Sequence, residues 1–353
     1  MFELINQRRR DFLGTAATSI VMAGIGSSAS LFPTTARAAQ RNGALPTRES
    51  RPTPFGVPKQ IRAGQLDVGY FEFGPSNGRP VLLLHGFPYD VHSYVEVAPT
   101  LTDRGCRVIV PFLRGHGSTT FLESSEPRSG QQAAIGADVI DLMNALKLQH
   151  AVLAGYDWGG RAACVVAALW PERCDGLVSV NSYLIQDIAN AAKPLPAKVE
   201  RGLWYQFYFQ TERGRAGLRA NREDIARIMW ANNSPTWAFD ETTFQRSVAA
   251  FHNVDYVDVV IHSYRHRLGL SEGFPRYADI ERRLAALPVI NVPTITLDSD
   301  ADGVIAATDG KASAHLFTGR QHRVVHGAGH NLPQESPATF ADAVWDLASV
   351  VRP

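Results

Sequence analysis

The chain has 353 residues, of which 45% are hydrophobic and 20% are charged, so it can bury a large globular core. A formal net charge of +1 at pH 7 argues against a general basic surface for nucleic acid. No stretch after the first forty residues is long and apolar enough to span a bilayer, which argues against a stable membrane span.

The amino terminus carries the features of an export signal in their usual order. Residues 8–13 (RRRDFL) contain the R-R-x-F-L pattern of a twin-arginine signal. A weakly apolar stretch, residues 15–32, follows, and Ala36-Arg37-Ala38 supplies an A-x-A cleavage site. We therefore predict a signal peptide over residues 1–38, recognition by the twin-arginine export machinery, and a bacterial periplasmic or secreted location. An exposed basic helix is the alternative.

Residues 39–58 are rich in Pro, Arg, Ser and Thr, which predicts a mobile linker. Beyond them, apolar runs typical of strands buried on both faces alternate with segments of helical spacing, clearest over residues 130–147. The predicted strands are Lys59–Ala63, Gln65–Phe73, Pro80–His85, Arg107–Pro111, Ala151–Ala154, Gly176–Val180, Pro293–Asp298 and His322–His326. This alternation predicts an α/β fold with a mostly parallel central sheet and helices on both faces.

The alternation stops between residues 182 and 275, a stretch rich in aromatic residues, arginine and helical spacing. We predict that residues 182–275 form a helical cap inserted into a core made of residues 59–181 and 276–353. Long insertions over the carboxyl ends of strands commonly shape substrate pockets. A further layer of ordinary core helices is the alternative interpretation.

The segment Gly155-Tyr156-Asp157-Trp158-Gly159 lies between a predicted strand and an alanine-rich predicted helix. This is the context of a nucleophile elbow, G-x-Nu-x-G, in which small residues flank a sharp turn that exposes the central side chain. The central residue is Asp157, and a carboxylate can attack saturated carbon. The pattern predicts transfer of an alkyl group to Asp157 and hydrolysis of the resulting ester, with a chance glycine-rich turn as the alternative.

An acid and a histidine follow the elbow in the chain order that such enzymes use. Asp302 lies deepest in the loop after a predicted strand and is favoured over Asp298 and Asp300 as the acid. His330 ends the run Gly327-Ala328-Gly329-His330 after the last predicted strand, a position that favours it over His326.

The predicted roles follow from ordinary protonation states. Asp157 is ionised at neutral pH, so His330 would act as general base on water rather than on the nucleophile. Asp302 would fix the tautomer of His330 and stabilise its imidazolium form. The segment His85-Gly86-Phe87-Pro88 follows the first fully apolar strand, and the backbone N–H groups of Phe87 and Trp158 would form an oxyanion hole.

With these motifs the chain resembles the α/β-hydrolase superfamily over residues 59–351. Within it the chain is most similar to epoxide hydrolases, in the Asp-nucleophile branch related to haloalkane and haloacetate dehalogenases. The resemblance implies an α/β-hydrolase fold and hydrolysis of an epoxide. Epoxide hydrolases also use two cap tyrosines that donate hydrogen bonds to the epoxide oxygen, and residues 204–210 and 262–265 are similar to the segments that carry them. The resemblance therefore implies this role for Tyr205 and Tyr264.

Several alternatives remain at this point. Tyr205 and Tyr264 could serve only in cap packing, since Tyr183, Tyr208 and Tyr256 are nearby candidates. The runner-up function is a dehalogenase in which Trp158 holds the halide, although Phe87 stands where a second halide donor often lies. An esterase is disfavoured because no serine occupies the elbow, and a purely binding protein would not need the whole Asp157, Asp302 and His330 set.

The expected ligand is a small apolar substrate, either an epoxide or an alkyl halide. No cofactor and no metal site is predicted, because the chain has no CxxC pair and no metal-ligand spacing. Cys106, Cys164 and Cys174 are predicted to be buried free thiols. One departure from the family pattern is Phe112, at a position where related hydrolases commonly carry an acidic residue.

Overall fold

The computed structural model describes residues 54–350. The predicted signal peptide (1–38) lies outside the described residues, as does most of the predicted linker (39–58). Within residues 54–350, no helix is long and apolar enough to cross a membrane.

One sheet of nine strands runs through the described part of the chain. The strands are β1 (Lys59–Ala63), β2 (Leu66–Phe73), β3 (Arg79–Leu84), β4 (Cys106–Pro111), β5 (Thr120–Phe121), β6 (Ala151–Gly155), β7 (Cys174–Val180), β8 (Thr294–Ser299) and β9 (Arg320–Val325). Their order is β1-β2-β4-β3-β6-β7-β8-β9, with β5 paired to β2. The adjacent strands β4, β3, β6, β7, β8 and β9 pair in parallel. Strand β2 pairs antiparallel with β1, β4 and β5. The mostly parallel sheet confirms the predicted fold class.

The central strands owe their place to continuous apolar sequence. Every residue of β6 and β7 is buried, as are Val81–Leu84 of β3, because helices cover both faces of this part of the sheet. The predicted strands agree with these elements to within about two residues at their ends. The sequence did not indicate β5, whose two residues are too few to give a periodic signal.

Helices flank the sheet on both faces, as predicted. The core helices are α1 (Val97–Asp103), α2 (Gln132–Ala145) and α3 (Asp157–Leu169), and the helices between β7 and β8 are α4 (Ala197–Gly202), α5 (Trp204–Tyr208), α6 (Glu212–Ala220), α7 (Arg222–Asn233), α8 (Glu241–Phe251), α9 (Tyr256–Arg267) and α10 (Ala278–Leu284). The last two are α11 (Leu332–Glu335) and α12 (Pro337–Ala348). Short 3₁₀ helices occupy Val91–Tyr94, Pro171–Arg173, Ile188–Asn190, Pro275–Tyr277 and Lys311–Leu316.

Helices α4 to α9 lie in the stretch for which the sequence predicts a cap, and side-chain hydrogen bonds tie them to the core. The Trp230 indole N–H donates to the carbonyl of Pro88 (2.7 Å), and the Ser247 hydroxyl donates to Asp90 Oδ1 (2.6 Å). Both core partners lie in the loop after β3. Two of these helices, α7 and α8, are therefore anchored on the segment that also contains Phe87. We call α4 to α9 the cap below, after the sequence-based prediction.

All three cysteines are free and buried, which confirms the sequence-based prediction. Burial raises the pKa of the Cys174 thiol to about 12, so this thiol stays protonated at neutral pH.

Candidate active site

The elbow between β6 and α3 forces an unusual backbone at Asp157. This residue has a φ of 48°, in the left-handed region that Asp tolerates better than most side chains. The flanking glycines are required by close contact, because a Cβ at Gly159 would lie 1.9 Å from the Leu84 carbonyl oxygen. A Cβ at Gly155 would lie 2.6 Å from the Gly159 carbonyl carbon. The sharp turn therefore presents the Asp157 side chain at the carboxyl ends of β3 and β6.

The Asp157 carboxylate lies between the loop after β3 and His330. The Phe87 N–H donates to Asp157 Oδ1 at 2.7 Å, so one predicted oxyanion-hole donor reaches this site. The other, the Trp158 N–H, is in the first turn of α3, where backbone N–H groups have no acceptor one turn earlier in the helix. The Asp157 side chain keeps 15% exposure, although Phe87 and Trp158 on either side are buried.

His330 connects two carboxylates. Its Nδ1 lies 2.8 Å from Asp302 Oδ2, and its Nε2 lies 3.8 Å from Asp157 Oδ2. Asp302 is held in turn, because its Oδ1 accepts the N–H groups of Val304 (2.7 Å) and Ile305 (3.0 Å), and its Oδ2 accepts from Asn181 Nδ2 (3.2 Å). The structure thus brings together the three residues that the sequence proposed as nucleophile, histidine and acid.

The competing acids make other contacts. Asp298 Oδ2 accepts from the backbone N–H (2.9 Å) and hydroxyl (2.8 Å) of Thr308. Asp300 Oδ2 lies 2.7 Å from Nδ1 of His326, which is the competing histidine, and the His326 side chain is exposed. These two pairs therefore lie apart from the Asp157–His330 contact.

A cap serine, which no sequence pattern indicated, holds the backbone of the histidine loop. The His330 N–H donates to the Ser234 hydroxyl (3.0 Å), which donates to Glu335 Oε1 (2.6 Å). Glu335 Oε2 also accepts the Gly329 N–H at 2.7 Å. A half-buried carboxylate and a hydroxyl from the end of helix α7 thereby fix where the imidazole lies.

The charges at the site stabilise one another. Burial would lower the pKa of His330, but the charges and hydrogen bonds of Asp302 and Asp157 outweigh it and raise that pKa well above its usual range. Burial would raise the pKa of Asp157, but the hydrogen bond and charge of His330 outweigh it and hold that pKa below its usual range. At neutral pH the free site therefore carries an ionised Asp157 and a protonated His330.

An aromatic wall stands beside the carboxylate. Phe87 stacks on Trp158 with ring centroids 5.2 Å apart, and the Tyr264 ring lies 5.5 Å from Phe87 and 6.0 Å from Trp158. Tyr205 from α5 and Tyr264 from α9 meet edge to face at 5.4 Å and 85°. The structure thus brings both predicted cap tyrosines to the wall of the site.

The two phenols interact with each other and with Asp157. Burial, followed by the Asp157 charge, raises the pKa of Tyr205, while hydrogen bonds to Gln206 and Tyr264 oppose this effect. Burial and the charges of Tyr205 and Asp157 raise the pKa of Tyr264 well above its usual range. Both hydroxyls therefore keep their protons at neutral pH and can donate hydrogen bonds.

The other candidate tyrosines have different surroundings. The Tyr183 hydroxyl donates to the Pro288 carbonyl (2.9 Å), and the Tyr208 hydroxyl lies against Gly217 of α6. Tyr256 packs on His116 (5.2 Å between centroids) and more distantly on Phe87 (6.0 Å). Tyr205 and Tyr264 are the two of this set that act on each other and on Asp157.

Phe112, the departure from the family pattern, serves in packing. Its ring lies over Gly117, where a Cβ would come within 2.3 Å of its Cδ1, and 6.0 Å from the Phe71 ring. An apolar side chain therefore fills this position behind the site.

Arg161 is a site residue that the sequence-based reasoning missed. It follows Asp157 by one turn of α3 and is 3% exposed. Within residues 54–350, its guanidinium takes part in no hydrogen bond or ion pair, and its Nε is enclosed without a partner. A lone arginine in the alanine-rich segment after the elbow was the available signal. In the same part of the chain, no group of three His, Cys, Asp or Glu side chains could hold a metal ion.

Comparison with known proteins gives consistent results. The sequence pattern of the α/β-hydrolase fold matches residues 79–337. Epoxide hydrolase A of Mycobacterium tuberculosis is 25% identical over 302 residues, which cover 78% of this chain and 92% of that protein. A haloalkane dehalogenase of Mycolicibacterium paratuberculosis is 34% identical over 119 residues, which cover 34% of this chain and 39% of that protein.

A solved structure is more similar than either of these sequences. The crystal structure of a suspected epoxide hydrolase from Klebsiella pneumoniae shares 49% sequence identity and superimposes with a TM-score of 0.82. The match covers 84% of this chain and 99% of that one. The chain is therefore a hydrolase that belongs to the α/β-hydrolase family and is similar to its epoxide hydrolases.

Proposed function

We propose that the protein is an epoxide hydrolase that converts a small epoxide with an apolar body into a vicinal diol through a covalent ester on Asp157. The observation that carries the proposal is that one carboxylate has two interacting phenols on one side and the His330–Asp302 pair on the other. The two phenols suit opening of a strained ether, and the His330–Asp302 pair suits hydrolysis of an ester.

In the first step, Asp157 attacks a ring carbon and the carbon–oxygen bond of the epoxide breaks. Oδ2 is the better placed oxygen, since Oδ1 is engaged by the Phe87 N–H at 2.7 Å. The electron pair of the broken bond stays on the epoxide oxygen, which becomes an alkoxide. Hydrogen bonds from Tyr205 and Tyr264 stabilise that charge, and one of the two phenols gives its proton to the alkoxide.

In the second step, His330 takes a proton from water and the resulting hydroxide attacks the ester carbonyl carbon. Forming the ester removes the Asp157 charge, so His330 loses one of its two carboxylate neighbours and its pKa falls towards the range of a general base. The proton that His330 releases restores the hydroxyl of the tyrosine that protonated the alkoxide. Oδ1 then becomes the oxyanion beside the Phe87 N–H. The tetrahedral intermediate then collapses, and the departing alkoxide takes the proton of the regenerated carboxyl group. The diol leaves, the oxygen from water stays in the Asp157 carboxylate, and His330 is protonated as at the start.

A haloalkane dehalogenase on the same nucleophile is the second candidate. In the described residues, the indole Nε1 of Trp158 has no hydrogen-bond partner, and such an N–H could hold a halide. Two observations favour the epoxide instead. The Trp158 nitrogen is enclosed, and the neighbouring Phe87 side chain has no N–H to act as a second halide donor.

His330→Gln should separate the two chemical steps. With styrene oxide as the probe, this variant should form an adduct of one substrate mass on Asp157 but release diol about 10³-fold more slowly, because the general base is absent. Wild-type protein in ¹⁸O-labelled water should transfer one label to Asp157 in a single turnover, and Asp157→Asn should form no adduct. Diol formation by the wild type without label in Asp157 would reject the covalent mechanism. Halide release from 1-bromobutane, with no turnover of styrene oxide, would select the dehalogenase.

We also propose that the protein is exported through the twin-arginine route, supported by the order of basic, apolar and cleavage segments in residues 1–38. Replacing Arg9 and Arg10 by Lys keeps the charge and removes the arginine pair. This double variant of the full chain should stay in the cytoplasmic fraction of a bacterium in which the unchanged chain reaches the periplasm or medium. Equal export of both proteins would reject the proposal.

A further inference from the structure

Arg161 is a buried cation without a partner among residues 54–350. Its side chain is 3% exposed, yet within the described residues no hydrogen bond or ion pair reaches its guanidinium. Buried charges in proteins are nearly always paired, because removing an ion from water costs on the order of several kcal/mol, which only a partner offsets. Arg114 shows the usual solution in this same protein, since its guanidinium binds Asp138 through Nε and Nη2, both at 2.6 Å. The contrast indicates that the partner of Arg161 comes from outside residues 54–350.

The position of Arg161 places it at the candidate active site. Asp157 and Arg161 are four residues apart on α3, so they lie on the same face of the helix, one turn from each other. The charge of Arg161 lowers the pKa of both Asp157 and Tyr264, and these two residues and Tyr205 in turn raise the pKa of Arg161, against the larger effect of burial. The guanidinium therefore lies close to the carboxylate and to both phenols.

A second arginine adds positive charge there. Arg267, at the end of α9, lies with its guanidinium 5.6 Å from the centre of the Tyr264 ring. Its neighbour Gln186 is neutral and, with its amide oxygen turned towards Arg267, accepts from Nε (2.6 Å) and Nη2 (3.1 Å). Burial and the charge of Arg267 lower the pKa of Arg161 to about 10, so Arg161 remains a cation at neutral pH.

Asp157 does not fill the role of partner. The cation within ion-pair distance of the Asp157 carboxylate is His330, which already balances its charge. The Arg161 guanidinium lies more than 4.0 Å from that carboxylate, and Asp157 must be free to form a bond with the substrate. The excess positive charge of Arg161 and Arg267 is thus available to an anion that enters with the substrate.

We propose that Arg161 binds a carboxylate carried by the substrate, so that the preferred substrates are epoxides with an acid group near the oxirane ring. This proposal rests on the proposed function. One helical turn spans about 5.4 Å, so the carboxylate lies within a few bonds of the carbon that Asp157 attacks. The planar fork of donors on arginine matches the two oxygens of a carboxylate. The stacked rings of Phe87 and Trp158 would take the apolar remainder of the molecule.

The test compares 3-phenyloxirane-2-carboxylate with its uncharged amide, which has nearly the same shape. Wild-type protein should favour the carboxylate in kcat/KM. Arg161→Met should lower the ratio of carboxylate to amide by about 10- to 100-fold, mainly through KM, because it removes a charge-assisted pair. Arg161→Lys should give an intermediate ratio, since it keeps the charge and loses the fork. The control Arg213→Met, an equal loss of charge at an exposed position on α6, should keep the wild-type ratio.

Each outcome separates this inference from the proposed function. A wild type that hydrolyses the amide as well as the acid, or an unchanged ratio in Arg161→Met, overturns the inference and leaves the epoxide hydrolase intact. Calorimetry with phenylacetate and phenylacetamide, which have no oxirane, tests the carboxylate site without turnover. Phenylacetate binding that Arg161→Met abolishes supports the site even if no epoxide is hydrolysed, and failure of the wild type to bind it rejects the site. If the Met variant does not fold, the Lys variant and the wild-type preferences decide.

Discussion

Two regions meet at Asp157, and they hold their side chains by different forces. On the core side, Asp302 accepts two backbone N–H groups and an Asn181 amide while it binds His330. On the cap side, Tyr205 and Tyr264 are positioned mainly by ring contacts with Phe209 and with each other, at 5.4 to 6.1 Å between centroids. Hydrogen bonds fix the orientation of a side chain, whereas ring packing constrains mainly the volume that the side chains fill.

This difference assigns the reaction steps to the core side and the choice of substrate to the cap side. A misaligned base or nucleophile stops the reaction, so the core residues are held by short directional bonds at strand ends. A cap held by apolar packing can be repacked around another substrate at a modest cost in stability. We therefore expect substitutions on the core side to abolish turnover and substitutions on the cap side to lower the rate only in part.

The largest effect should come from Asp157→Asn. Asn tolerates the left-handed backbone at this position, so the variant should fold, but it lacks the anionic nucleophile. We expect kcat for epoxide hydrolysis to fall by about 10⁵-fold or more. The control is Asp300→Asn, which removes a carboxylate bound to the exposed His326 and should stay within a few-fold of the wild type. Residual activity above about 1% in Asp157→Asn would show that the core side does not work as proposed.

The next effect should come from the cap phenols. Tyr205→Phe and Tyr264→Phe each remove one donor to the leaving oxygen, so the rate of Asp157 ester formation should fall about 10²-fold in each variant. Tyr208→Phe, on the same helix as Tyr205 but with its hydroxyl against Gly217, should behave as the wild type. Ester formation is followed by rapid quench and mass spectrometry of the adduct. Unchanged epoxide turnover, or halide release at wild-type rates in the Tyr205 and Tyr264 variants, would assign these residues to packing.

A pH profile sharpens the comparison within the core. The pKa of Asp157 is held low in the free site, so ester formation should stay constant from about pH 5 to about pH 8. His330 must be neutral to activate water, and its pKa falls when the Asp157 charge is lost to the ester. Hydrolysis of the ester should therefore slow as pH falls, up to tenfold per pH unit below that pKa, and accumulated ester should rise. Single-turnover kinetics in which both steps decline together towards acid pH would contradict this assignment.

The smallest effect should come from the joint between the two regions. Ser234→Ala removes the acceptor of the His330 N–H and one donor to Glu335, so unfolding free energy should fall by about 1 to 3 kcal/mol. Turnover should fall only a few-fold, as the imidazole keeps its bond to Asp302. Ser247→Ala breaks a comparable cap-to-core bond, to Asp90, and should lower stability without changing kcat. Denaturant unfolding and kcat of the two variants test the joint, and equal kcat in both would show that Ser234 serves the fold alone.

The sequence was most informative where local pattern decides the structure. Continuous apolar runs predicted the buried strands β3, β6 and β7, because burial on both faces leaves no polar alternation. The elbow was evident because crowding around Asp157 admits only glycine at two flanking positions.

Contacts between distant segments were beyond the sequence. Ser234 and Glu335 are about a hundred residues apart, and nothing in either local sequence indicates that they meet beside His330. Arg161 is visible in the sequence only as a lone arginine in an alanine-rich segment. That no residue of 54–350 pairs with it depends on its three-dimensional surroundings. The cap tyrosines were identified through family resemblance, since their spacing alone fits ordinary helix packing.

The buried thiols have a practical consequence for measuring motion. Cys106, Cys164 and Cys174 are all free and buried, so reagents that modify thiols should not reach them in the folded protein. A cysteine introduced at the half-exposed Phe207, on the same short helix as Tyr205, would then be a unique attachment point for a fluorophore. Such a label would report in real time whether that helix swings away from the core each time a product departs.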